Sequence, residues 1–385
     1  MTPTPDPHPP SPAGAPGWPI VLVIAVCGLP AAVLFAQTQN GGRTLRTGKE
    51  LYEAGCVACH GADGKGAARA MVGFETPLPD FTDCRFTARE PESDWISIIH
   101  NGGPARGFSE IMPAFGDALS DDEILNIVSY LRGLCRDRAW PRGDLNLPRP
   151  LVTEKAFPED EAVLTTTFAV EGPGAVTNTL VYERRLGPRN EIDLSVPFNA
   201  VRADSGGWRG GIGDIALGFK RALFHSLERG SIVSVGGEAS LPTGNKATGT
   251  GKGFTTFETF VAFGQILPSD GFFHFQGGIE APKDSSRAAK ETFWRAVLGR
   301  SFMQGKGLGR AWSPMMELLG AHELEAGAKA EWDLLPQLQV TLSTRQHILL
   351  NVGVRVPVSN TGPRRTQVMF YLLWDWFDGG LREGW

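Results

Sequence analysis

The sequence has no surplus of basic charge: 37 Lys and Arg stand against 42 Asp and Glu, a formal net charge of -5 over 385 residues. A nucleic-acid binder would show a basic face, so that class is excluded. Long apolar runs are scarce as well. Only the N-terminal region holds a continuous stretch approaching the ~20 residues of a membrane helix, which excludes a polytopic helical membrane protein. Glycine is abundant, 48 residues, but lacks the three-residue period of collagen. No Ser/His/Asp set, phosphate loop or paired-carboxylate site can be assembled, so no enzymatic activity is expected. His225, His274, His322 and His347 are scattered and are expected to line surfaces.

What is present divides the chain by composition. A hydrophobic fraction of 42% is ordinary, so a core can be built, and the length allows two or three domains. Residues 1–36 open Pro-rich and run into an apolar stretch from Trp18 to Ala36. They are expected to be an export signal cut near Ala36, or a retained helical anchor. Cys27 lies within this leader. Residues 43–140 mix helical signals with turns. Residues 141–160 are Pro-rich and polar, which suits an interdomain linker. From about Ala162 to the end the pattern has period two.

The second segment carries Cys56-Val57-Ala58-Cys59-His60, the C-x-x-C-H pattern of c-type haem attachment. Two thiols spaced in this way reach the two vinyl groups of one porphyrin. The adjacent histidine then faces the iron. A redox or zinc cysteine pair is the alternative, but a redox pair does not need the histidine and zinc would need two more ligands.

Gly48-Lys49-Glu50-Leu51-Tyr52 before the motif and Gly61 after it make the segment resemble class I cytochromes c over residues 45–135. The resemblance implies one covalent haem c held by Cys56 and Cys59, His60 as proximal ligand, and a downstream methionine as sixth ligand. Met112-Pro113 fits that place, with Met71 and His100 as rivals. Ser120-Asp121-Asp122-Glu123 is a capping box that opens the family's last helix, where Ile124, Ile127, Val128 and Leu131 repeat at helical spacing. Cys84 and Cys135 remain. In an exported protein two leftover thiols are expected to form a disulfide. Two separate buried thiols are the alternative.

After Ala162 about twelve segments alternate apolar and polar residues, near 162–170, 176–185, 190–198, 212–222, 230–241, 254–265, 271–280, 291–302, 311–320, 327–336, 337–357 and 366–377. Strands of ~10 residues with one apolar face predict an antiparallel transmembrane β-barrel over 161–385. A soluble sandwich or lipocalin-like barrel would instead turn its apolar faces inward. Asp193, Asp214, Lys220, Glu238, Glu258, Glu280 and Arg355 share one face, as lumen residues would. Trp208, Phe272, Trp294, Trp312, Trp332 and Trp376 lie near segment ends, where interface girdles sit. Gly211 to Lys220 and the turn Leu241-Pro242-Thr243-Gly244 resemble outer-membrane barrels of the phenol-degradation-pathway transporter-like group. The aromatic terminal segment and Trp385 are similar to outer-membrane insertion signals.

The expected fold is thus a small all-α cytochrome c domain followed by an all-β barrel of about twelve strands. The expected function is electron transfer on the periplasmic side of an outer membrane, with periplasmic redox proteins and outer-membrane lipid as partners. The alternatives are a small-solute channel with an accessory cytochrome, and an electron-accepting subunit of a dehydrogenase.

Overall fold

The computed structural model describes residues 46–73, 78–171, 174–202, 206–304, 310–362 and 364–375. The expected leader at 1–36 with Cys27, the first residues of the 43–140 segment, Trp376 and Trp385 lie outside the described residues.

The first body is helical. Helix α1, Gly48–Gly55, begins at a capping box in which the Thr47 hydroxyl accepts from Glu50 N and the Glu50 carboxylate accepts from Thr47 N. Four short pieces follow: α2 Val57–His60, α3 Arg69–Val72, α4 Cys84–Thr87 and α5 Glu92–Asn101. The last helix, α6 Asp121–Leu134, opens on a second capping box, Ser120 with Glu123, and places three acids at its positive end. Its apolar stripe Ile124, Ile127, Val128 and Leu131 packs on Leu51 and Tyr52 of α1 and on Phe81, Trp95 and Ile99. The crossing of α1 with α6 needs a glycine: a Cβ on Gly48 would lie 1.9 Å from Asn126 O. Cys84 and Cys135 form a disulfide, Cα–Cα 5.0 Å, that ties α4 to the end of α6.

The second body is a closed antiparallel barrel. Its strands are β1 Glu161–Ala169, β2 Ala175–Leu186, β3 Asn190–Arg202, β5 Ile215–Ser226, β6 Ser231–Leu241, β7 Thr256–Leu267, β8 Gly271–Pro282, β9 Glu291–Arg300, β11 Ala311–Glu323, β12 Glu331–Thr341, β13 Ile348–Pro357 and β14 Gln367–Asp375. Two short pieces, β4 Trp208–Ile212 and β10 Phe302–Met303, pair with β3 and β11. Each barrel strand pairs with the next, and β14 pairs with β1 from Glu161↔Asp375 to Ala169↔Gln367, so twelve strands close the ring.

Alternation decides which face meets which solvent. Leu194, Leu217, Phe219, Phe257, Val261, Leu298, Met316, Leu338, Val352 and Leu372 are exposed on the outside. Each would forfeit about 1.5–3 kcal/mol of burial in water, and a continuous belt of them fits hydrocarbon instead. A soluble barrel with inward apolar faces is thereby excluded. Among the described residues no helix is long and apolar enough to cross a membrane.

The two mouths differ. At the mouth where β1 begins and β14 ends, three of the five connections are tight, 187–189, 227–230 and 268–270, while 342–347 and 301–310 are longer. The opposite mouth carries longer connections, such as 242–255 and 283–290.

Residues 141–160 connect the two bodies by way of the barrel interior. Expected as an interdomain linker, they do join the two domains, and every one of them is buried or half-buried. The segment leaves the helical body at Trp140, which lies against the Arg185 guanidinium at the short-turn mouth. Leu147 then packs on Phe272, Val297 and Met315. Leu151 reaches mid-lumen, where it abuts Gly353; a Cβ there would lie 2.6 Å from Leu151 Cδ1. The chain returns along Ala156 and Phe157, which pack on Ala222, Ile232 and Ala262. At Glu159 its backbone N donates to Glu191 Oε2, 2.5 Å.

A backbone without its own ladder must find other partners. Lumen side chains supply them. Leu151 N donates to Gln337 Oε1 (3.0 Å), Thr153 N to Glu317 Oε1 (2.9 Å) and Glu154 N to Gln276 Oε1 (2.9 Å). Tyr371 Oη donates to Arg149 O, 2.7 Å. Charges pair in the same way. Lys220 Nζ lies 2.6 Å from Glu154 and 2.9 Å from Glu191. Arg149 pairs with Glu161 and Glu183, and Lys155 with Glu159.

Several expected assignments are corrected. Phe272 is not a girdle residue: it points inward and is 2% exposed against Leu147. Asp214 does not line the lumen; its carboxylate accepts from Gly244 N (3.0 Å) and Lys252 N (2.6 Å), anchoring a loop. His274 and His347 are buried rather than superficial, and His274 Nε2 faces Pro148 O at 3.1 Å. The segments expected at 327–336 and 337–357 are β12 and β13, divided by a turn at 342–347. That turn contains neither glycine nor proline, and Gln346 supplies its left-handed residue at φ 65°.

Candidate haem site

Helix α1 ends where the chemistry begins. Cys56 is its C-cap and the N-cap of α2, so Cys56, Cys59 and His60 follow one another on a single turn. His60 N donates to Cys56 O, 2.9 Å. The loop after it is held from both sides. Gly66 N donates to His60 O (2.9 Å), Ala67 N to Cys59 O (2.7 Å) and Phe81 N to Gly64 O (2.7 Å). Tyr52, 1% exposed, donates its hydroxyl to Gly61 O at 2.6 Å and lies 3.2 Å from His60 O. Burial raises that phenol to about 12, so it remains a donor at neutral pH.

The His60 ring lies 5.1 Å from Phe81, which lies 5.4 Å from Trp95. Burial lowers His60 to about 4, which keeps the imidazole neutral, the form that binds a metal. Its Nδ1 is buried without a hydrogen-bond partner. Cys56 and Cys59 are free thiols, whereas Cys84 and Cys135 are bridged. An orphaned imidazole nitrogen beside two unpaired thiols fits a C-x-x-C-H haem site.

Met112 packs on the same apolar cluster. Met112, Cys56, Val57 and Phe115 all pack against the core of Leu51, Tyr52, Trp95 and Ile99. The loop bearing it closes on the end of α5 and the 3-10 turn Gly103–Arg106. Gly103 N donates to Met112 O (3.0 Å), Phe115 N to Ile99 O (2.9 Å) and Gly116 N to His100 O (2.9 Å). The rivals are placed differently. Met71 is 80% exposed on α3, and His100 Nδ1 lies 2.8 Å from Asn101 Oδ1.

The body docks on the short-turn mouth of the barrel. Arg89 pairs with Asp160, and Arg189 Nε donates to Ala139 O at 3.2 Å. His347 places Nε2 3.6 Å from Glu90 Oε1 and Nδ1 3.5 Å from Asp375 Oδ1, bridging the two bodies. Buried Asp94 is pushed up to about 6, chiefly by desolvation and then by the Glu90 carboxylate, against the pull of Arg106. A cavity of 290 Å³ lies at this junction, lined in part by Glu90, Asp144, Phe272, Gln346 and His347. Sequence reasoning passed over this junction. Its signals were the apolar Leu145, Leu147, Leu151 and Phe157 set in a Pro-rich stretch.

Residues 43–131 match the family described as cytochrome C oxidase, cbb3-type, subunit III; they form a c-type cytochrome domain. Among solved structures, the chain is similar to an outer-membrane channel from Pseudomonas putida F1. The identity is 13% and the TM-score 0.43, covering 60% of this chain and 100% of that one. It is also similar to the KdgM porin in complex with disordered oligogalacturonate (7%, TM-score 0.38, 56% and 99% covered). The NanC porin is a further likeness (11%, TM-score 0.39, 56% and 98% covered).

Proposed function

We propose that the protein is an electron-transfer protein of the outer membrane, with one covalent c-type haem held at the periplasmic mouth of its barrel. Haem, when bound, supplies a one-electron centre. Cys56 and Cys59 would hold it through thioethers, and His60 and Met112 would bind its iron. Tyr52 fixes the carbonyls of His60 and Gly61, and with them the direction of the imidazole. A thioether as sixth ligand favours a raised potential.

The observation that carries this reading is the docking of the cytochrome domain on the short-turn mouth, with residues 141–160 filling the lumen behind it. Short turns belong to the periplasmic side of outer-membrane barrels, which supports placing the domain there. A filled lumen favours the barrel as anchor over an open solute channel. The hydrocarbon layer is ~30 Å thick, and one haem motif gives one relay point, so exchange is proposed at the periplasmic mouth with soluble redox proteins.

The test is made on membranes from cells that mature c-type haem. The expected result is covalent haem in the outer-membrane fraction, on a band that shifts with heating as folded barrels do. The haem should be rapidly reduced by an added soluble electron donor. Haem in the soluble or inner-membrane fraction, or a barrel without covalent haem, would overturn the reading.

A further inference from the structure

The turn at 342–347 joins β12 to β13, yet three consecutive residues of it enter the cytochrome domain. Arg345 donates from NH2 to Gly107 O at 3.2 Å, and its guanidinium lies 4.5 Å from the centre of the Phe108 ring. Gln346 Nε2 donates to Asp94 Oδ1 at 3.3 Å. That same oxygen accepts from Arg106 Nε and NH2, at 2.9 and 2.8 Å. His347 faces Glu90. The turn therefore touches Gly107 and Phe108, in the chain that leads into Met112, and Asp94, which holds Arg106 beside them.

The two ends of the Met112 loop are held differently. Its far end is fixed by its own domain, through Phe115 N to Ile99 O and Gly116 N to His100 O. Its near end has Gly107 N to Pro104 O (3.1 Å), Phe108 N to Gly103 O (2.9 Å), Gly103 N to Met112 O (3.0 Å) and Met112 N to Ser109 O (3.2 Å). Beyond these, its outer surface is met by Arg345. Gly107, Glu110 and Ile111 are exposed and add no packing. Gln346 holds a left-handed backbone, φ 65°. A non-glycine residue keeps that conformation where the surroundings impose it.

We propose that the barrel positions the sixth haem ligand: Arg345, through Phe108 and Gly107, clamps the near end of the loop that presents Met112. The inference rests on Met112 being the axial ligand. Arg345 is a positioning residue, since it touches the loop and not the iron site. A planar guanidinium can stack on a ring and donate to a carbonyl at once, which a lysine ammonium cannot do in the same way.

The experiment uses full-length holoprotein in detergent, with two readouts. One is the methionine–iron absorption band of the oxidised form. The other is displacement of the methionine by added imidazole. Arg345→Ala should keep its haem and its heat-shifted barrel but lose part of the band. It should bind imidazole about tenfold more tightly, the effect of one stacked, hydrogen-bonded guanidinium. Arg345→Lys should fall between. If Arg345→Ala folds with the band intact and imidazole affinity within about twofold of the parent, a shift below the worth of one such contact, the turn serves docking alone and the inference is overturned.

Phe108→Leu guards against misfolding of the turn, because it removes the stacked ring and leaves the barrel unaltered. It should shift both readouts in the same direction, and unchanged readouts would again overturn the inference. Met112→Ala separates the two levels. A parent band that Met112→Ala does not abolish removes Met112 as ligand and the inference with it. A band that Met112→Ala abolishes while Arg345→Ala and Phe108→Leu leave it intact removes the inference alone.

Discussion

Lys220 of β5 meets Glu154 of the lumen segment inside the barrel, Nζ to Oε1 2.6 Å, and shares its charge with Glu191 at 2.9 Å. Taking one partner from a buried ion pair strands the others, at a cost of about 3–5 kcal/mol. Lys220→Met should therefore lower the temperature at which the heat-shifted gel band converts to the unfolded one. Lys252→Ala removes the half-exposed pair with Glu280 and should cost under about 1 kcal/mol. Equal effects from the two changes would show that the lumen network adds no stability.

Filling of the lumen can be read as conductance. In planar bilayers the parent protein should conduct little. Replacing residues 145–157 with a Gly/Ser stretch of equal length should give stepwise currents. Those currents should prefer cations, because Asp193, Glu238, Glu258 and Glu280 stand on inward positions past the segment. A replaced barrel that stays as silent as the parent would place the block elsewhere.

Met112→Ala should abolish the methionine–iron band and lower the reduction potential, since a soft thioether favours the reduced state. Redox titration of the holoprotein measures the second effect. Met71→Ala, at an exposed position on α3, should leave both unchanged.

Gly48→Ala tests the helix crossing. Its Cβ would meet Asn126 O at 1.9 Å, and that atom is backbone that cannot swing away. Overpacking of this kind costs about 1–3 kcal/mol. The expected outcome is a lower denaturant midpoint for loss of the haem absorption, with the barrel's heat shift retained.

The bridge between Cys84 and Cys135 spans 51 residues. By loop-closure entropy it is worth about 4 kcal/mol. The double change to serine should lower the denaturant midpoint of the cytochrome domain. The barrel band should respond less, since its seam and lumen contacts remain. An unchanged midpoint would make the bridge dispensable.

Much of this was legible along the chain. C-x-x-C-H states its chemistry locally, and capping boxes at Thr47 and Ser120 announce their helices within four residues. Strand alternation is local too, so the ring of twelve could be counted. What stayed hidden depends on partners distant in sequence. Residues 141–160 have a linker's composition, and only Gln337, Glu317, Gln276 and Lys220 turn them into interior. Phe272 sits one residue after a turn, where parity decides between lipid and lumen. The turn at 342–347 lacks the usual punctuation, and the apolar run through Leu338, Val340 and Leu342 carried the reading across it.

The lumen segment enters and leaves by the same mouth. Trp140 lies against Arg185 on the way in, and Glu159 against Glu191 on the way out. Topologically it is a loop pushed into a cup, not a thread passed through a needle. The seam between β1 and β14 can close with the loop outside, and the loop can be seated afterwards without any chain end crossing the ring. The same path runs in reverse. Arg89 and Asp160 tie the folded domain to the end of the loop, one residue before the β1–β14 seam begins.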